Sequence, residues 1–416
     1  MEACDLDTEV RPHKVELMPH QKEALEFLNE GKVLYGGVGS GKSAVAIAYY
    51  MEHQAPRDVY VITTAKKRDS LEWEGEAAKF GLGTDYFGTC AGVLTIDSWN
   101  NIGKYLDVEN AFFIFDEQRL VGHGAWVKNF LKIVRNNNAW IMLSATPGDV
   151  WLDYAPLFIA NGWYRNITDF KRQHVLYAPY VKFPKIARYI GESRLEKLRN
   201  EILIEMPYIK HTQRIINYVP VGYDKELMDA IVRNRWNPFE DRPIVDKSEL
   251  FRLMRMIVNS DPSRLEAVKF LTKMHDRLII FYNFDYELEI LRNLQISGIP
   301  AGEWNGHKKT PIPDTDKWVY LVQYVAGAES WNCTSTNAMV LYSLTYSYKN
   351  YIQCQGRIDR LDTSYVDLYY YILESSAPID IAVKKALGSK KSFNESASDI
   401  FRQISLGERG FDSAMP

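Results

Sequence analysis

The chain has 416 residues, 46% apolar and 25% charged, a composition that excludes a disordered chain and allows more than one core to be buried. At roughly 150 residues per domain, the length implies two to three domains. Fifty basic and 53 acidic residues leave a net charge of -3, which excludes a uniformly basic coat and confines any nucleic-acid contact to local patches.

Taken in chain order, residues 1–15 form an acidic extension without the apolar centre of a signal peptide. Short apolar runs then predict strands at Val33–Tyr35, Val59–Thr63, Val93–Ile96, Phe112–Phe115 and Trp140–Leu143. Helical patterns at Ser43–Glu52 and Ser70–Phe80 lie between them, the alternation of a parallel α/β sheet. After Pro147 the alternation loosens, and Trp151 to about Leu250 reads as mixed helices and connections. A second block opens with a capping box at Ser263 and Glu266 and an apolar stripe at Leu265, Val268 and Leu271. Strands follow at Leu278–Tyr282, Val319–Val322, Ala338–Tyr342 and Leu368–Ile372, with a helix over Asp285–Leu294. The expected organisation is an extension (1–15), a first α/β lobe with a helical extension (16–203), a second lobe with a helical insertion (204–375) and a C-terminal helix and tail (376–416).

Gly36-Gly37-Val38-Gly39-Ser40-Gly41-Lys42-Ser43 matches the phosphate-binding pattern G-x-x-x-x-G-K-[ST]. Glycines let backbone N–H groups turn onto one phosphate, Lys42 suits the β- and γ-phosphates, and the Ser43 hydroxyl suits magnesium. A chance match in a Gly-rich turn would lack the strand before the loop and the helix after it, and both patterns are present. Asp116 and Glu117 close the bulky run Ala111–Phe115, which places two carboxylates at the C-terminal end of a buried strand. Asp116 is read as the magnesium residue and Glu117 as the base that polarises the attacking water.

Further motifs resemble those of superfamily 2 helicases. Ser144-Ala145-Thr146-Pro147 is similar to their S-A-T segment, Gln353 to Arg360 (QCQGRIDR) to Q-x-x-G-R-x-x-R, and Leu17 to Gln21 (LMPHQ) to the adenine-reading glutamine segment. Within the superfamily the chain resembles the Swi/Snf-type branch. Leu71 to Glu76 (LEWEGE) is similar to its W-x-x-E, Ala326 to Asn332 to its motif V, and Tyr351 to Leu361 to its motif VI. The resemblance spans about Glu16 to Leu373 and suggests a minimal, phage-like motor. It implies two RecA-like lobes with parallel sheets, and a site for ATP and magnesium in the cleft between them. Gln21, Gly37, Val38, Gly39, Ser40, Gly41, Lys42, Ser43 and Gln353 would bind the nucleotide. Ser43 and Asp116 would hold magnesium, Lys42 and Glu117 would act in hydrolysis, and Arg357 and Arg360 would be arginine fingers. The chain differs from the pattern at Gln118-Arg119, at Thr63–Lys67, which lacks a proline, and at Glu329-Ser330.

The resemblance also implies nucleic-acid contacts from strand-following loops, at Thr64, Lys66, Lys67, Thr95, Ser98 and Asn283, whose short polar and basic groups suit sequence-independent phosphate contacts. The alternatives are that Lys66, Lys67 and Arg68 form a solvated helix start and that Asn283 is a cap. The activity implied is ATP-dependent movement along DNA, with an RNA helicase, an ATP-gated clamp or a motor subunit of a larger machine as the other readings. The expected state is a monomeric motor, with DNA favoured over RNA and with protein partners through the tail. Eight histidines without ligand spacing predict no structural metal. Four cysteines, Cys4, Cys90, Cys333 and Cys354, without a C-x-x-C pair imply a reducing compartment. No apolar run approaches the ~18 residues of a membrane span, so the expectation is a cytoplasmic protein with no membrane contact. Tyr369-Tyr370-Tyr371 reads as buried strand, and the pairs Lys384-Lys385 and Lys390-Lys391 as a solvated helix face.

Overall fold

The computed structural model describes residues 15–37, 39–83, 92–117, 120, 124–180, 183–206, 211–293, 298–327, 333–360 and 363–391. They fall into two compact units, one ending at Met206 and the other starting at His211.

The first unit runs α1 (Pro19–Phe27), β1 (Val33–Tyr35), α2 (Lys42–Tyr49), β2 (Val59–Thr63), α3 (Ala65–Asp69), α4 (Glu72–Lys79), β3 (Leu94–Ser98), β4 (Phe112–Asp116), α5 (Ala125–Arg135) and β5 (Ala139–Ser144). It continues with α6 (Trp151–Ala160), α7 (Ile167–His174), β6 (Val175–Tyr177), β7 (Ile186–Tyr189), α8 (Glu192–Ile202) and β8 (Leu203–Glu205). Six strands form one sheet in the order β3-β2-β4-β5-β1-β8, every neighbouring pair parallel. Side chains alternate between the faces: Phe113 and Phe115 enter one core, Phe112 and Ile114 the other. Burial on both faces explains why β4 reads as an unbroken apolar run.

The expected strands are present within a residue or two, and three features differ. The helix expected over Ser70–Phe80 is α4, and a short helix that was not expected, α3, precedes it, with Leu71 at φ +57° between the two. The helix after the phosphate loop passes into a π-helical turn at Tyr50–Gln54. Leu203–Glu205 pairs with β1, so the first unit extends past the expected boundary at 203. Helices α6 to α8 pack Trp151, Tyr154, Phe158, Phe170 and Leu195 onto the sheet.

The second unit runs β9 (Gln213–Pro220), α9 (Lys225–Asn234), β10 (Trp236–Asn237), β11 (Arg242–Pro243), α10 (Lys247–Asn259), α11 (Pro262–Met274), β12 (Arg277–Tyr282), α12 (Asp285–Arg292), β13 (Ala301–Trp304), β14 (Trp318–Gln323), α13 (Tyr324–Gly327), β15 (Ala338–Leu341), α14 (Tyr348–Gln355) and β16 (Asp367–Glu374). A final helix, α15, covers 378–391. Its sheet, also parallel throughout, has the order β13-β14-β12-β15-β16-β9. The fold is therefore α/β, with two RecA-like lobes built on parallel sheets.

Strand β9 lies in a region expected to hold helices and connections. It pairs along eight residues with β16, but it is an edge strand with five of its eight residues exposed, so its sequence lacks the apolar run of a central strand. Helix α11 is capped by Asp261, whose carboxylate accepts from Ser263 N at 2.9 Å, with Pro262 in the first turn. The expected cap at Ser263 is thus two residues late. After residue 376, Ala377, Ile379, Val383 and Leu387 are buried in the second unit's cores. Tyr370 and Tyr371 are buried in β16, as expected.

Candidate nucleotide site

In a parallel sheet all C-terminal strand ends share one edge, where such folds bind ligands. At this edge the end of β5 holds both candidate motifs. Gly36 N donates to Ser144 O at 3.2 Å on one side, and Glu117 N donates to Leu143 O at 3.0 Å on the other. The phosphate loop and the acidic pair therefore flank one strand, ~10 Å apart by two strand spacings.

The loop turns through Gly39 and Gly41, with φ of +80° and +83°. A Cβ on Gly41 would fall 2.1 Å from Gln21 Nε2, whereas a Cβ on Gly37 would meet nothing within 4 Å. One glycine admits a neighbouring side chain and the other leaves the approach open. Ser40 Oγ donates to Gly37 O at 2.8 Å, and Lys42 Nζ donates to Gly36 O and Gly37 O at 2.8 and 2.9 Å. Ser43 is half-buried in the first turn of α2. Val38 lies outside the described residues.

Gln21 is buried against this loop. Its Oε1 accepts from Met18 N at 2.8 Å and its Nε2 donates to Ser40 O at 3.4 Å, so its amide couples the start of α1 to the loop backbone. His20 Nε2 lies 3.2 Å from the same Ser40 oxygen.

Asp116 is 3% exposed, and one of its oxygens, Oδ2, takes three donors: Thr63 Oγ1 at 2.8 Å, Lys67 Nζ at 2.8 Å and Trp73 Nε1 at 3.0 Å. Trp99 Nε1 donates to its backbone carbonyl at 2.9 Å. Burial alone would push the Asp116 carboxyl upward, but the Lys67 charge and the three donors outweigh it and hold the group below its usual range. Burial likewise opposes the Lys67 charge, yet Asp116 and Glu117 hold this ammonium above its ordinary value. Lys67 Nζ lies 3.7 Å from Glu117 Oε1. Glu117 adopts a left-handed backbone, φ +63°, a conformation on the order of 1 kcal/mol unfavourable for a residue with a Cβ.

Sequence reasoning missed Thr63, Lys67 and Trp73 as parts of this site. Lys67 reads as a phosphate contact because it follows a strand, but its ammonium lies 2.8 Å from Asp116 Oδ2 as the counter-ion of a buried acid. Trp73 was visible as the tryptophan of the W-x-x-E segment, and its indole N–H on Asp116 gives that segment a physical role.

The expected nucleic-acid contacts scatter. Thr64 caps α3 by accepting from Lys67 N, and Lys66 and Thr95 are half-buried nearby. Ser98 is 1% exposed and accepts from Arg68 Nη1 at 3.4 Å, beside Asp97, which also binds Arg68, Asn101 and Tyr105. Its hydroxyl is therefore withdrawn from any backbone track. Asn283, in the second unit, donates its amide inward to Ser343 Oγ at 2.8 Å, and the N-cap of α12 is its neighbour Phe284.

Also in the second unit, Gln353 and Arg357 are buried, with Arg357 Nε donating to Gln353 O at 3.0 Å, while Arg360 is half-buried. Asp359 is fully buried and bound by Arg214 Nε at 2.8 Å and Thr212 Oγ1 at 2.7 Å. Its ion-pair partner thus comes from β9. Glu329, Ser330, Gln118, Arg119, Cys4 and Cys90 lie outside the described residues, and Cys333 and Cys354 are buried free thiols.

The arrangement suits a triphosphate with a hard cation. The open face at Gly37, the Lys42 ammonium and the N-terminus of α2 suit phosphate oxygens. The Ser43 hydroxyl and the Asp116 carboxylate are oxygen donors of the kind magnesium takes with waters. Buried Thr146 Oγ1, at the end of the S-A-T segment, has no hydrogen-bond partner. No group of three or more His, Cys, Asp or Glu among the described residues is placed to hold a metal, and no helix among them is long and apolar enough to cross a membrane.

No family model and no curated protein matches the chain. Among solved structures, the Sulfolobus solfataricus SWI2/SNF2 ATPase core in complex with dsDNA is similar at a TM-score of 0.42 and 16% identity, covering 93% of this chain and 94% of that one.

Proposed function

We propose that the protein is an ATPase that couples hydrolysis to movement along DNA. The observation that carries this reading is the end of β5, which holds a phosphate loop on one side and a buried, ionised Asp116 next to a strained Glu117 on the other. That pairing suits hydrolysis better than passive binding, because a clamp has no need of a carboxylate held in a costly backbone conformation.

In this reading Lys42 and the loop N–H groups bind the phosphates, and Ser43 and Asp116 hold magnesium, which supplies charge neutralisation on the phosphate oxygens. Glu117 orients and deprotonates the attacking water. Gln21 fixes the loop through Met18 N and Ser40 O. DNA as the track, ahead of RNA, follows from the W-x-x-E and motif VI likenesses.

The test is steady-state ATP hydrolysis, alone and with single-stranded DNA, duplex DNA, branched DNA or RNA. Strong stimulation by a DNA, lost in Lys42→Ala and Glu117→Gln, is the expected result. Stimulation by RNA alone would replace the track. Nucleotide binding without turnover under any condition would replace the motor with the clamp.

A further inference from the structure

The β6–β7 hairpin places large aromatic side chains in solvent on a fixed root. Val175 and Tyr189 pair across it, as do Leu176 with Arg188 and Tyr177 with Ile186, and Ala178 N donates to Lys185 O at 2.8 Å. At the root, Val175, Ile186 and Tyr189 pack into the first unit's core. His174 is buried there between the Tyr164 hydroxyl at 2.7 Å and Ile190 O at 2.8 Å. Beyond this root, Tyr177 is 45% exposed, Phe183 72% and Tyr180 fully.

Exposed tyrosine and phenylalanine on an anchored ribbon need a partner with flat apolar faces. The charge narrows the choice. Every charged residue between Arg172 and Glu192 is basic, namely Lys182, Lys185 and Arg188, in a chain whose net charge is -3. Lys185 and Arg188 are both exposed. Aromatic faces interleaved with basic groups match bases joined by phosphates, since every base has a π-face and every linkage a negative charge.

We propose that this hairpin is a stacking site for unpaired bases of DNA, with Tyr177, Tyr180 and Phe183 as the platform and Lys185 and Arg188 as phosphate contacts. The inference rests on the reading of DNA as the track and adds where a single strand is held. A duplex keeps its bases stacked on one another and offers this platform only its ends, so the site discriminates single-stranded from paired DNA.

The experiment measures binding of labelled oligothymidylate, blunt duplex DNA and oligouridylate to the full chain, across a salt series. Tyr177→Ala/Tyr180→Ala is expected to weaken oligothymidylate binding about tenfold or more, leaving duplex affinity, basal ATP hydrolysis and melting temperature unchanged. Lys185→Glu/Arg188→Glu is expected to flatten the salt dependence by about two phosphate contacts. Wild-type affinity for oligothymidylate in both variants would overturn the site and leave the motor reading standing. A loss confined to oligouridylate would overturn DNA as the occupant. Failure of the wild-type chain to bind any of the three would overturn this inference and the proposed track together.

Discussion

Asp116 keeps its charge where water barely reaches because Thr63, Lys67 and Trp73 all donate to one of its oxygens. Removing Lys67 strands that charge, so Lys67→Ala is expected to destabilise the first unit by about 3–5 kcal/mol, read as a fall in melting temperature at neutral pH. The pH dependence follows from the lowered Asp116 pKa. A depressed carboxyl stabilises the folded state above its unfolded pKa of about 3.9, and this contribution is lost as pH falls through the lower folded value. The stability gap between wild type and Asp116→Asn should therefore be widest near neutrality and shrink below about pH 4. An unchanged gap down to strong acid would show that Asp116 is not held ionised. At the loop, Gly41→Ala meets both a left-handed φ and the Gln21 amide. It is expected to abolish nucleotide binding, measured by fluorescent-nucleotide titration.

At the scale of elements, legibility tracked burial. Strands β1, β2, β4, β5, β12, β14, β15 and β16 were readable because each is apolar on both faces. β9 was not, because most of its residues are exposed and polar ones such as Gln213, Arg214 and Asn217 interrupt its apolar run. The phosphate loop and the acidic pair were legible from local spacing alone. Lys67 was not, since a lysine's partner depends on which way a helix faces after the chain has folded. Asp261 lost to Ser263 in the reading because both are good caps two residues apart, and only Pro262 distinguishes them. The second unit offers a test of such hidden anchoring. Arg214 of β9 is the partner of the fully buried Asp359 beyond α14. Arg214→Ala is expected to cost about 3 kcal/mol or more in the unfolding of that unit. Arg214→Met combined with Asp359→Leu should recover most of it, as seen by denaturant titration.

The whole molecule carries two parallel sheets with separate cores, so its unfolding is not expected to be a single all-or-none transition. Calorimetry should resolve two components. ATP with magnesium at about a hundred times its dissociation constant should raise the component containing the phosphate loop by about 2.7 kcal/mol, and Lys42→Ala should remove that rise. A chain with net charge -3 must hold an anionic track against its own average field, so track binding should fall steeply with salt. The left-handed backbone at Glu117 has a consequence for any campaign of directed evolution. Asparagine tolerates that conformation better than glutamate, so selecting variants for survival on heating would favour Glu117→Asn. The survivors would be sturdier proteins that no longer turn over, and heat resistance alone would be a misleading guide to fitness at this position.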